Sequence, residues 1–93
     1  MSRSLSLLEK LKENVNELDA AEVALSDMTS IEITTEEQAD EVENLYKKIF
    51  KLSMSNSGIY EDLLLSLEKE EEFTKRRLLA EANKLLRVAV VDV

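Results

Sequence analysis

The sequence of 93 residues contains no cysteine, histidine, proline or tryptophan, and it has a single glycine. Without cysteine there is no disulfide, thiolate ligand or thiol nucleophile, and the lack of histidine removes the commonest metal ligand and general base. One glycine cannot build a phosphate-binding loop. We therefore expect no enzymatic activity, no metal and no cofactor. The lack of disulfides is typical of a reducing compartment, and we expect a cytoplasmic location.

Long apolar runs are also missing. No uninterrupted apolar stretch approaches the roughly 20 residues that a helix needs to cross a bilayer, and the stretch at Met1–Leu8 is too short for a signal peptide. The net charge of −8 disfavours binding to nucleic-acid phosphates and to anionic lipids. These features indicate a protein partner, with basic proteins favoured, and exclude direct binding to nucleic acid or membrane.

Helix-forming residues dominate what is present. Ala, Glu, Lys, Leu and Arg supply 50 of the 93 residues, and sixteen of these are Leu, against two Phe and two Tyr. This composition predicts an all-α fold with coiled-coil-like packing of aliphatic side chains. A monomer of this size buries only about 60 to 65% of the surface that its unfolded chain exposes, so its stability is marginal without a partner.

Apolar residues spaced by threes and fours predict a first helix at about residues 4–28. Thr35 with Gln38, or Thr34 with Glu37, has the spacing of a capping box and predicts the start of a second helix at about residues 36–52. The first stripe consists of Leu8, Leu11, Val15, Leu18, Ala21, Leu25 and Met28, and the second of Ala39, Val42, Leu45, Ile49 and Leu52.

The segment Ser53–Gly58 (SMSNSG) contains the only glycine and predicts a break between helices. A third helix follows at about residues 59–88, and the pattern leaves residues 89–93 open between a helix end, a strand and an extended tail. The expected fold is thus a single helical domain over residues 1–93. It is either a three-helix bundle or a helical hairpin with a long third helix.

The predicted third helix has a polar middle, Glu68–Arg77, in which Glu71 and Lys75 are spaced as an i,i+4 ion pair, as are Glu72 and Arg76. A solvated, self-paired helix face explains this segment. The alternative is that Lys75, Arg76 and Arg77 form a basic patch for a phosphate or an acidic partner.

Helix lengths point to a binding surface. The predicted third helix spans about 45 Å and the second only about 25 Å, so the end of the third helix is expected to lack cover. This predicts a non-enzymatic protein–protein interaction module, an adaptor or regulatory subunit that forms a homodimer or a complex with another protein. The predicted partner-binding residues are Leu78, Leu79, Ala82, Leu85, Leu86 and Val90.

Two other functions fit the same sequence. An acidic inhibitor or DNA mimic would block a basic protein surface through the negative faces of the first two helices. A structural coiled-coil spacer would be elongated and would have no further partner.

Overall fold

The computed structural model describes residues 2–86 and contains three helices, α1 (Arg3–Thr29), α2 (Glu36–Leu67) and α3 (Glu72–Leu86). The all-α, three-helix prediction is therefore confirmed, with packing among all three helices. The longest helix is α2, with 32 residues, whereas α3 has 15, so the expected long third helix is wrong. The alternatives for residues 89–93 lie outside the described residues.

Helices α1 and α2 form an antiparallel hairpin whose register is fixed by two polar contacts. The Ser4 and Ser66 hydroxyls are 2.7 Å apart, and the Asn14 amide donates to the Ser55 hydroxyl at 3.1 Å. In both contacts the two residue numbers add to about 70, as an antiparallel pair requires. The facing residues recur at alternating spacings of three and four, which is the heptad pattern of a coiled coil. On α2 these positions are Val42, Leu45, Ile49, Leu52, Asn56, Ile59 and Leu63.

The predicted capping box at the start of α2 is confirmed for Thr35 and Gln38. The Thr35 hydroxyl accepts a hydrogen bond from the Gln38 N–H at 3.1 Å, and the Gln38 side chain accepts one from the Thr35 N–H at the same distance. The backbone N–H groups of Thr35 and Gln38 would otherwise lack partners at the start of the helix. The Gln38 side chain also accepts from the Thr34 N–H at 2.8 Å.

The predicted break at Ser53–Gly58 is wrong, because α2 continues through it. The heptad spacing does not change across the segment, so Asn56 faces α1 in step with Leu52 and Ile59. Ser55 bonds to Asn14 and Asn56 is buried, which anchors the polar residues within the helix. One helical glycine costs only about 1 kcal/mol relative to alanine, far less than the contacts that an interruption would lose.

The chain turns instead at residues 68–71, inside the segment that was predicted to be continuous helix. The N–H groups of Glu68, Lys69 and Glu70 bond back three residues at 3.0–3.3 Å, which ends α2 in a tight turn. The Glu71 carboxylate then accepts hydrogen bonds from the Thr74 N–H and hydroxyl at 3.1 and 3.0 Å, capping α3. The reversal brings the apolar residues on both sides of the turn into one core, which a straight helix of 30 residues could not do.

Helix α3 covers only one end of the hairpin. We call this end the three-helix half, formed by residues 3–15, 56–67 and α3, and the rest the two-helix half, formed by residues 18–29 and 36–53. All residues of the two-helix half are described, and Ala21 is the only one of them that is buried. The core of the three-helix half consists of Leu7, Leu11, Val15, Ile59, Leu63, Leu67, Leu78 and Ala82.

Candidate protein-binding surface

Five of the six residues predicted to bind a partner lie on α3 and face the rest of the chain. Leu78 and Ala82 are 1% and 0% exposed, and Leu79, Leu85 and Leu86 pack half-buried against the same core. Val90 lies outside the described residues. The premise that the third helix projects beyond its neighbours is wrong, because the hairpin projects beyond α3. Partner binding through these residues stays a prediction, and for Leu78 and Ala82 it requires α3 to leave the core.

An uncovered apolar surface does exist, on the two-helix half. Tyr60 packs against the core next to α3, and its hydroxyl donates to the Asn83 side chain at 2.7 Å. Tyr46 precedes Tyr60 by 14 residues, or two heptads, so it lies on the same side of α2 relative to α1. Tyr46 is nevertheless 57% exposed, because α3 does not reach it. The same position in the repeat is therefore packed in one half and uncovered in the other.

A second aromatic side chain extends this surface. Phe50 follows Tyr46 by one helical turn on α2 and is 65% exposed. Two large aromatic rings one turn apart, both more than half exposed, are unusual on a protein surface and are the residue types that dominate protein interfaces. We call Tyr46 and Phe50 the aromatic pair.

The boundary between the two halves contains a recess of about 260 Å³. Asn56 lines it and is only 5% exposed, and among the residues that the structure describes its side-chain oxygen has no hydrogen-bond donor. A buried acceptor without a donor destabilises the fold by about 1 to 3 kcal/mol, so such a group indicates a place where a donor is still to be supplied. The other lining residues are Leu18, Ser53, Ser57, Tyr60 and Leu86.

A larger groove, of about 500 Å³, lies between α1 and α2 of the two-helix half, on the side away from Tyr46 and Glu22. Its apolar part is supplied by Ala24, Met28 and Leu45, which are half-buried because two helices alone cannot enclose them. Carboxylates of Asp27 and Glu41 stand at its edge, together with Asn44 and Lys48.

Negative charge is concentrated in one stretch of the chain, which overlaps the two-helix half but ends before its lysines Lys47, Lys48 and Lys51. Residues 13–46 contain 11 of the 20 carboxylates and none of the 12 lysines and arginines. The remaining residues carry 9 carboxylates and all 12 cations, so they are net positive although the whole chain is at −8. The outer end of the hairpin thus concentrates the negative charge of the molecule, and a basic partner would be attracted to that end.

The ion pairs of the described residues differ from the two predicted in the polar segment. Glu43 pairs with Lys47 at 3.3 Å, and Arg77, the last residue of that segment, pairs with Glu81 at 3.6 Å. Neither Glu71–Lys75 nor Glu72–Arg76 forms an ion pair within the described part of the chain, since Glu71 caps α3 instead. Both observed pairs are more than half exposed and contribute little to stability.

Two further statements hold for residues 2–86 only, one on membrane-spanning helices and one on metal sites. None of the three helices combines the length and the apolar character that a bilayer span requires. No group of three or more acidic residues is arranged so that it could hold a metal ion.

Sequence reasoning missed the aromatic pair and the charge division, although both left a signal. Tyr46 and Phe50 flank the apolar stripe of the second helix, but the sequence alone does not show that one side of that helix is uncovered. A comparison of charge by predicted helix divides the acidic stretch between two helices. Counting along the chain reveals the absence of cations from residues 13–46.

Fold and surface together define an all-α protein, a heptad-based helical hairpin braced at one end by a short third helix. Comparison with protein-family models, curated proteins and solved structures found no match to this chain. The functional argument therefore depends on the geometry and charge described above.

Proposed function

We propose that this protein is a non-enzymatic protein–protein interaction module that binds a partner protein on its two-helix half. The observation that carries the proposal is the contrast between Tyr60, which packs beside α3, and Tyr46, which occupies the equivalent position without cover. A partner at Tyr46 and Phe50 would remove two aromatic rings from water, and at Tyr46 it would supply the packing that α3 provides beside Tyr60.

The proposal keeps the predicted class of function and changes the surface. On α3, Leu78 and Ala82 face the core of their own chain, so they supply no free apolar area. A cytoplasmic location stays a prediction.

The test is affinity capture with matched variants of the full chain. The double variant Tyr46→Ser, Phe50→Ser removes the aromatic pair, and Phe73→Ser is the control because Phe73 is also exposed, at 70%, but lies at the start of α3. Substitutions at such exposed positions change stability by roughly 0.5 kcal/mol or less. We expect a partner from cells that produce the protein to be retained by the wild type and by the control, and to be lost with the double variant.

Retention of the same partner by the double variant would contradict the proposal, and so would the absence of any partner. The latter outcome is the one that a structural spacer predicts. Circular dichroism of the three proteins shows whether each variant keeps its helices, so that a lost partner is not mistaken for a lost fold.

A second candidate function is supported by the charge division. A carboxylate-rich end without cations could block a basic protein surface by electrostatics alone, as an inhibitor or DNA mimic does. The salt dependence of binding separates the two candidate functions, since the Debye length falls to about 4 Å near 0.5 M salt. Binding that depends on the aromatic pair should persist at that concentration, whereas purely electrostatic blocking should be lost, and the double variant should not affect it.

A further inference from the structure

We infer that the partner contributes a cationic amphipathic helix, which lies in the two-helix half and extends the three-helix packing along the hairpin. This inference rests on the proposed function and specifies the chemistry of the partner. It follows from four features of the molecule: the heptad equivalence of the two halves, the aromatic pair, the exposed Glu22 in a cation-free stretch of α1, and the unpaired Asn56 oxygen.

The first step concerns shape. The two halves share one heptad register on α2, so the surface beside Tyr46 has the form that accepts α3 beside Tyr60. In the three-helix half, the surface beside Tyr60 is covered by the helix α3, with Leu78 and Ala82 pointing inwards. A helix is therefore the element that fits the two-helix half. Residues 36–53 of α2 are about 27 Å long, which accommodates a helix of about 12 to 18 residues.

The second step concerns charge. On α1, Leu8 and Val15 belong to the side that packs in the core with α3, and the next residue in the same heptad position is Glu22. Glu22 is exposed, and the stretch around it, residues 13–46, has no lysine or arginine. The two-helix half thus presents aromatic rings from α2 and carboxylates from α1. Its occupant needs apolar side chains on one flank and lysine or arginine on the other.

The third step concerns which chain supplies the helix. A second copy of this protein would bring the two acidic ends, each with 11 carboxylates and no cation between residues 13 and 46, close together. Like charges at an interface oppose association, so a basic segment of a different protein fits better. The Asn56 oxygen, buried at the boundary between the halves, would accept a hydrogen bond from a donor on the end of the incoming helix.

The experiment is photo-crosslinking in the full chain, with p-benzoylphenylalanine replacing Phe50 and, in a matched control, Phe73. Crosslinks formed in producing cells are mapped by mass spectrometry to the partner segment. We expect a crosslink at position 50 and not at 73, to a segment with apolar residues every three or four positions and with lysine or arginine beside them. A synthetic peptide of that segment should bind the wild type at least about tenfold more tightly than the Tyr46→Ser, Phe50→Ser variant.

Different outcomes overturn the proposed function and the assignment of a basic helix. The absence of a crosslink specific to position 50 would overturn the proposed function and the inference together. A specific crosslink to an acidic or non-amphipathic segment of another protein would overturn the inference and leave the proposed function standing. Crosslinking to a second copy of this chain, or to its own residues 87–93, would overturn the choice of a basic helix from a different protein.

Discussion

The two halves of this molecule share one heptad repeat but differ in how deeply its facing residues are buried. In the three-helix half, positions such as Leu11 and Leu63 are fully buried, because α3 closes the side that two helices leave open. In the two-helix half, Leu25 and Leu45 occupy the corresponding facing positions and remain partly exposed. The difference shows that heptad spacing specifies which residues face a neighbouring helix, whereas the number of neighbours decides how far they are buried.

Stability and the proposed binding surface are divided in the same way. Fully buried leucines each contribute about 1.5 to 3 kcal/mol from loss of contact with water, and these residues are concentrated in the three-helix half. The two-helix half contributes less to folding, presents the aromatic pair, and carries 8 carboxylates against three lysines. This arrangement allows one end to hold the fold while the other end remains available to a partner.

The largest expected effect compares one leucine from each half. Leu63→Ala should reduce the free energy of unfolding by about 3 kcal/mol, because it leaves a cavity among fully enclosed side chains. Leu45→Ala, on the same side of the same helix, should cost about 1 kcal/mol because its site is already partly open to water. Urea denaturation followed by circular dichroism measures both values. Equal losses at the two positions would show that the halves do not differ in packing.

The next comparison uses the two tyrosines. Tyr60→Phe removes the hydroxyl that bonds to Asn83 at 2.7 Å and should destabilise the protein by about 1 kcal/mol. Tyr46→Phe, two heptads away, should change the free energy of unfolding by about 0.2 kcal/mol or less, since that side chain is mostly in water. Thermal denaturation of the two variants and the wild type measures these changes. If Tyr46→Phe lowered the free energy of unfolding as much as Tyr60→Phe, the assignment of Tyr46 to an uncovered site would be contradicted.

The smallest effect tests the continuity of α2, which joins the two halves. An added Cβ at Gly58 would meet no atom within 4 Å, so Gly58→Ala should stabilise the protein by about 0.5 to 1 kcal/mol. Ala20→Gly, at an exposed position inside α1, should destabilise it by a similar amount. The midpoint of urea denaturation should therefore rise for the first variant and fall for the second. A fall for Gly58→Ala would mean that the chain does break there.

Local signals in the sequence predicted some elements and misplaced others, for identifiable reasons. The start of α2 was predicted because a capping box is formed by residues within one turn, Thr35 and Gln38. The Ser53–Gly58 break was wrong because the segment keeps the heptad spacing, with Asn56 buried and Ser55 bonded to Asn14 of α1. The actual turn at residues 68–71 was missed because the charged residues around it are good helix formers.

The candidate surface was less accessible to sequence reasoning than the fold. Its residues were visible, but their exposure depends on where α3 ends, and that in turn depends on the turn at residues 68–71. When that turn is misplaced, Leu78 and Ala82 look like an uncovered stripe, and the exposure of Tyr46 cannot be predicted. The position of this one turn therefore decides which residues of α3 are buried and which residues of α2 are exposed.

The sequence by itself determined that the protein is helical, that its core is aliphatic, and that its negative charge is concentrated between residues 13 and 46. Composition, periodicity and charge are read directly from the order of residues, so they require no structure. Only the tertiary structure decided that α2 is continuous, that α3 folds back onto one end of the hairpin, and that Tyr46 and Phe50 remain in water. These outcomes depend on contacts between residues far apart in the chain, where packing outweighs local preference.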